Sequence, residues 1–191
     1  MDDDQPSHGN ITRKIIDLYI KYLIKKKKVA SSQWNDKLMR SLYPSSLQTD
    51  QLYFWQLYNL LGEEVIANII SRFYEKILLD RDHLWFSDVF RKTGSLEYHV
   101  IGQKRFWMEC MGGGHYYNKN GKKTLYKKHS RVNEIMTSRG ASLWIDFLYK
   151  TLDEYEELKK DKRVIQCIKD FVIFFMIRYG KQFSFKIKSK L

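Results

Sequence analysis

Beyond Pro44 the chain contains no proline at all, and only Pro6 stands before it in 191 residues. Proline is a strong helix breaker, because it lacks the backbone N–H and its ring clashes with the preceding turn. The unbroken stretches are rich in Leu, Ile, Lys, Glu and Tyr, which favours helices over a turn-rich β-sandwich. A length of 191 residues with 43% hydrophobic content suits one ordinary domain with a sizeable core. The expectation is an all-α protein.

Periodicity divides the chain. Ile11, Ile15, Leu18 and Tyr22, with Ile16, Ile20 and Leu23, recur at helical spacing and predict a helix over 11–28 that runs into Lys25, Lys26, Lys27 and Lys28. Residues 29–50 read as a connector holding at most a short helix around 34–42. From Leu52 the pattern is continuously helical, and Gly62 followed by Glu63 and Glu64 marks a helix start with carboxylates in its first turn. That helix carries Ile66, Ile69, Ile70, Phe73, Tyr74 and Ile77 and should stop near 80–82. Leu84, Trp85 and Phe86 read as a loop. A helix over 96–111 ends on Gly112, Gly113 and Gly114, which cannot sustain it. A loop over 116–123 and a short helical stretch containing His129 follow. Two amphipathic segments, 138–155 and 162–179, close the core, and 183–191 read as a frayed tail or a short strand. The organisation expected is an N-terminal extension over 1–50, a main domain over 51–180 and a basic tail over 181–191.

The charge is lopsided, with 34 Lys and Arg against 22 Asp and Glu for a net +12. Anionic partners follow from such a field, but charge alone does not name the anion. The lysine run after residue 24 complements a helix C-terminus, and its sharper reading is a membrane-surface or acidic-partner contact through 11–28. Aromatic residues interleaved with lysines over 116–128 support a rival function, a basic helical module binding nucleic acid or an acidic partner. Cys110 and Cys167 lie far apart in apolar helical contexts and suggest no disulfide framework. The start Met1-Asp2-Asp3-Asp4 has the wrong charge for a signal peptide, and the longest apolar run, 171–177, is too short to span a bilayer. A cytoplasmic setting is the expectation.

Of five histidines, His8 is in a polar terminus and His83 in a loop, which leaves His99, His115 and His129 for a buried role. By itself His129, flanked by Lys127 and Lys128, reads as an exposed residue on a basic helix. His99 and Gln103 stand at i and i+4 and share a helix face that Phe106 and Trp107 continue. Burying an imidazole and an amide without partners costs roughly 1–3 kcal/mol each, so that face lines a polar ligand or the surface. Tyr74 and Trp144 lie on apolar helix faces, each with one donor that wants an acceptor when buried. The chain has no Cys-x-x-Cys, His-Glu-x-x-His or Gly-x-Ser-x-Gly, and its glycine triplet lacks the Lys-Ser/Thr of a phosphate loop.

Together these residues resemble the truncated globins, the two-over-two helical haem proteins, and most closely their second group. The likeness covers roughly residues 57–179. Tyr58 with Leu61-Gly62-Glu63-Glu64 looks like the family's Tyr-x-x-x-Gly-Gly-Glu-Glu opening, with Leu61 in place of the first glycine. Phe73-Tyr74 matches the Phe-Tyr of the next helix, and Phe86, twelve residues on, looks like the phenylalanine that packs on haem. Gln103, Phe106 and Gly112-Gly113 reproduce Gln-x-x-Phe and a glycine pair, which places His99 at the distal gate. Gly121, Leu125 and His129 match Gly-x-x-x-Leu-x-x-x-His, followed by Ile135, Arg139 and Trp144; the tryptophan favours the second or third group.

The resemblance implies a two-over-two helical sandwich carrying haem b, preceded by an extra N-terminal helical extension. It implies His129 as the proximal iron ligand and Tyr74, His99, Gln103 and Trp144 as the distal set around O2, NO or CO. Phe86, Phe106, Tyr117, Leu125, Lys127 and Lys128 would contact the haem, with Lys127, Lys128 and Tyr117 at its propionates. The outputs it allows are oxygen binding or sensing and NO or peroxide detoxification. NO dioxygenase or peroxidase-like turnover would need an external reductase.

Overall fold

The structure, a computed structural model, describes residues 9–26, 40–44, 52–117 and 130–187. Every regular element among them is helical. They are α1 (Asn10–Lys25), a 3-10 turn (Phe54–Gln56), α2 (Leu57–Leu79), α3 (Leu84–Thr93), α4 (Leu96–Cys110), a second 3-10 turn (Ser130–Ile135), α5 (Ser138–Leu152), the short α6 (Glu156–Lys159) and α7 (Lys162–Phe183). The chain forms two compact units, one of Met1–Ile66 with Lys104–Gly121 and one of Ala67–Gln103 with Lys122–Leu191.

In the first unit α1 buries Ile15, Ile16, Tyr19, Ile20 and Leu23, the face set by its helical spacing. Tyr19 meets Trp55 edge-on with ring centroids 5.8 Å apart, and Phe54 meets Trp107 at 5.6 Å. Each such fully buried side chain contributes about 1.5–3 kcal/mol, so the apolar face of α1 is held by its own unit while Lys14, Lys21, Lys25 and Lys26 stay exposed. The N-cap residue Gly9 has no side chain to satisfy the first N–H groups of α1. Glu109 supplies the acceptor instead: its buried carboxylate takes the Ile11 N–H at 3.0 Å through Oε1 and the Tyr117 N–H at 2.7 Å through Oε2. The Thr12 hydroxyl donates to the Glu109 carbonyl. A carboxylate at a helix N-terminus also complements the macrodipole. Gly62 has φ 76°, ψ 169° and splits α2, so the long helix restarts where Glu63 and Glu64 were expected to open it.

In the second unit α5 packs on α7, α6 also packs on α7, and the turn Ser130–Ile135 packs on both α3 and α5. Thr137 caps α5, its hydroxyl oxygen accepting the Gly140 N–H at 3.1 Å, and Asp161 caps α7 by accepting the Arg163 N–H at 2.9 Å. Burial lifts the thiols of Cys110 and Cys167 well above the usual cysteine range, so both behave as small hydrophobes.

One expectation is overturned. Leu84, Trp85 and Phe86 open a helix rather than forming a loop, because Phe86, Val89 and Phe90 recur at i, i+3 and i+4 and are all buried. Asp80 starts the helix by accepting the His83 N–H at 2.9 Å, and the Arg91 guanidinium closes back on the carbonyls of Leu78 and Asp80. The described part of the tail, 184–187, is not a strand, and Ser184 there is left-handed at φ 60°. Most of the connector over 29–50 and of the stretch over 116–129 lies outside the described residues.

Candidate functional site

The second unit gathers aromatic side chains from α2, α3, α4 and α5 around Tyr74. On α2, Phe73 and Tyr74 are both buried and meet at 5.0 Å. Phe73 reaches Trp144 of α5 edge-on at 4.8 Å, which joins that half-buried indole to the Tyr74 cluster. From α4 the ring of His99 stacks on Tyr74, with centroids 5.2 Å apart and planes only 8° from parallel. Phe90 of α3 closes the other side, 6.0 Å from Tyr74 and 5.6 Å from His99. Phe86 continues the wall through Phe90 at 5.0 Å and lies parallel to Phe147 at 6.2 Å.

Three of the four residues expected in the distal set therefore meet in one cluster: Tyr74 and His99 directly, Trp144 through Phe73. Gln103, the fourth, is half-buried one turn along α4 from His99. His99 is 9% exposed, and its Nε2–H donates to the Phe90 carbonyl at 2.8 Å. Burial holds its imidazole below the ordinary histidine range, while the carbonyls of Phe90 and Gly94 pull the other way. The ring is therefore neutral at pH 7, with the tautomer fixed by an acceptor that can only receive.

Phe106 and Tyr117 belong to the first unit, where their rings meet edge-on at 5.4 Å. Leu125, Lys127, Lys128 and His129 lie outside the described residues. The turn Ser130–Ile135 begins one residue after His129 in sequence and packs on α3, the helix that carries Phe86 and Phe90.

A separate open cleft of about 490 Å³ is lined by His83, Trp85, Ser138, Arg139, Ser142 and their neighbours. Within it the Arg139 guanidinium lies 4.2 Å above the Trp85 ring. None of Tyr74, His99 or Trp144 lines that cleft, so it is not the aromatic cluster.

Residues 56–175, well over half of the chain, match the family model described as bacterial-like globin. The chain belongs to the bacterial-like globin family. Globins of this family generally bind haem and take small gaseous ligands, and the all-α architecture with a helix ahead of the matched region agrees with a globin. The α1 helix of this globin precedes the matched span, whereas the whole Tyr74 cluster falls inside it. Among the described residues no helix of the globin is long and apolar enough to cross a membrane.

Sequence reasoning missed Phe90 and Glu109. The loop expected over 84–86 hid the four-residue step from Phe86 to Phe90 that would have exposed the first. No local signal marks the second, a glutamate on a helix whose partners are 98 and 8 residues away.

Proposed function

We propose that this globin binds haem b with His129 as its proximal ligand and holds a diatomic gas, O2 foremost, beside Tyr74, Gln103, Trp144 and His99. The observation that carries this is the aromatic cluster. Rings such as Phe86, Phe90 and Phe73 are the kind of apolar wall on which a flat macrocycle packs, and beside them stand a phenol, an imidazole and an indole, each with a polar tip. Trp144 supports membership of the second or third group rather than the first. The turn Ser130–Ile135, which follows His129 in sequence, packs on α3, and this is consistent with His129 as the proximal ligand.

Haem, when bound, supplies an iron that takes up the gas. The chain's residues do the rest. A neutral imidazole from His129 offers one ring nitrogen as a ligand and the other as a donor to a nearby acceptor. Tyr74 and Trp144 are held by their ring contacts with Phe73, so with Gln103 they would offer donors to the partial negative charge on a bound gas with little reorganisation. Each hydrogen bond to such a charged acceptor is worth about 1.5–3 kcal/mol, roughly one to two decades in release rate. Lys127 and Lys128 would neutralise the propionates. Oxygen storage or sensing needs only this much, whereas NO dioxygenation or peroxidase-like turnover requires a separate reductase.

The test is an absorption spectrum of the full chain after haem reconstitution, for the parent and for His129→Ala. A Soret band in the parent, with altered axial ligation and faster haem loss in the variant, is expected. A parent chain that stays colourless would overturn the haem reading and leave the basic module as the account of the +12 charge. Unchanged haem affinity and spectrum in His129→Ala would overturn the ligand assignment alone.

A further inference from the structure

We propose that His99 acts as a positioning residue for Tyr74 rather than as a hydrogen-bond donor to the bound gas; this rests on the haem reading above. The ring of His99 does two jobs at once. Its Nε2–H donates at 2.8 Å to the carbonyl of Phe90, which stands in the last turn of α3 and also accepts the Gly94 N–H at 3.2 Å. Its face lies flat against Tyr74 at 5.2 Å, while Phe90 and Tyr98 enclose its edges at 5.6 and 5.5 Å. The imidazole is thus a plate bolted to the end of α3, and Tyr74 is stacked on that plate.

Turning the ring to offer Nε2–H to a gas would strip the Phe90 carbonyl of the shorter of its two donors, the other being the Gly94 N–H at 3.2 Å. It would also break the stack on Tyr74. The turn would thus give up a hydrogen bond and ring stacking that together are comparable to the one bond gained. Tyr74 is 3% exposed and packs on Phe73 and Phe90 as well, so the plate forms one wall of the socket that sets its aim. His99 acts through Tyr74.

A double-mutant cycle separates the two roles. The O2 dissociation rate and the C–O stretching frequency of the CO adduct are measured on the haem-loaded full chain for Tyr74→Phe, His99→Leu, His99→Phe and the double variant His99→Leu with Tyr74→Phe. Tyr74→Phe is expected to release O2 about ten- to a hundredfold faster. His99→Leu, which removes the plate, should give part of that increase and a shifted C–O frequency. The double variant should be no faster than Tyr74→Phe. His99→Phe keeps a flat ring against Tyr74 but not the bond to the Phe90 carbonyl, so it should be clearly slower than His99→Leu, and it decides the matter if His99→Leu does not fold. Multiplying effects in the double variant, or a His99→Phe rate as fast as that of His99→Leu, would overturn the proposal while leaving the haem reading intact. A parent chain that binds no haem would overturn both.

Discussion

Gly140 lies in the first turn of α5, where a Cβ would fall 1.9 Å from the carbonyl oxygen of Ile135 and 2.9 Å from its carbon. The substitution Gly140→Ala therefore sets two effects against each other. Alanine gains about 1 kcal/mol of helix propensity over glycine. Overpacking costs about 1–3 kcal/mol, and here the obstacle is backbone, which cannot swing aside as a flexible side chain would. A contact this short places the cost at the upper end, so the net loss is about 1–2 kcal/mol. For a chain of this length each kcal/mol moves the melting temperature by about 2–4 °C, so Gly140→Ala should melt about 2–8 °C lower. The internal control is Gly102→Ala, within α4, where a Cβ meets nothing within 4 Å. There the propensity gain acts unopposed, and a rise of about 1–4 °C is expected. Thermal unfolding of both variants beside the parent, followed by circular dichroism, measures the difference. If Gly140→Ala melts at or above the parent temperature, the close approach of α5 to the turn Ser130–Ile135 is wrong.

Two further outcomes follow from buried polar groups. Glu109→Gln removes the charge at the start of α1 and leaves one oxygen to serve two N–H groups, so a loss of about 1–2 kcal/mol is expected. Amide exchange should quicken at Ile11 and Tyr117 together, and unchanged protection at both would refute the clasp. His99 has a folded pKa below its ordinary 6.5, so the unfolded chain binds more protons as pH falls through that value. Its neutral form favours folding fully above pH 6.5, and this contribution is lost on the way down to the lowered value. Melting curves between pH 8 and 5 should fall less steeply for His99→Phe than for the parent, and equal slopes would refute the assignment.

Local pattern carried far where it had an uninterrupted period to work with. The long helices α1, α4, α5 and α7 stand close to where apolar spacing put them, and Gly62 breaks α2 as its neighbours Glu63 and Glu64 suggested. It failed at α3, because three consecutive apolar residues, Leu84, Trp85 and Phe86, have no period of their own. That helix is set by Asp80 accepting the His83 N–H and by Arg91 reaching the carbonyls of Leu78 and Asp80. In the candidate site, Tyr74, His99 and Trp144 stood out as polar-tipped rings on apolar faces, whereas Phe90 stayed hidden inside the mistaken loop.

The sequence by itself determined that the chain is helical, which faces are apolar, and which residues resemble those of a globin, because all of these are written in spacing along the chain. Only the tertiary structure decided which groups share a hydrogen bond or a ring contact. Nothing in the local spacing of α4 makes Glu109 an acceptor for Ile11, or turns His99 toward the Phe90 carbonyl and onto Tyr74. Those partners are selected when burial removes water and each remaining donor must find whatever acceptor the fold has brought within reach.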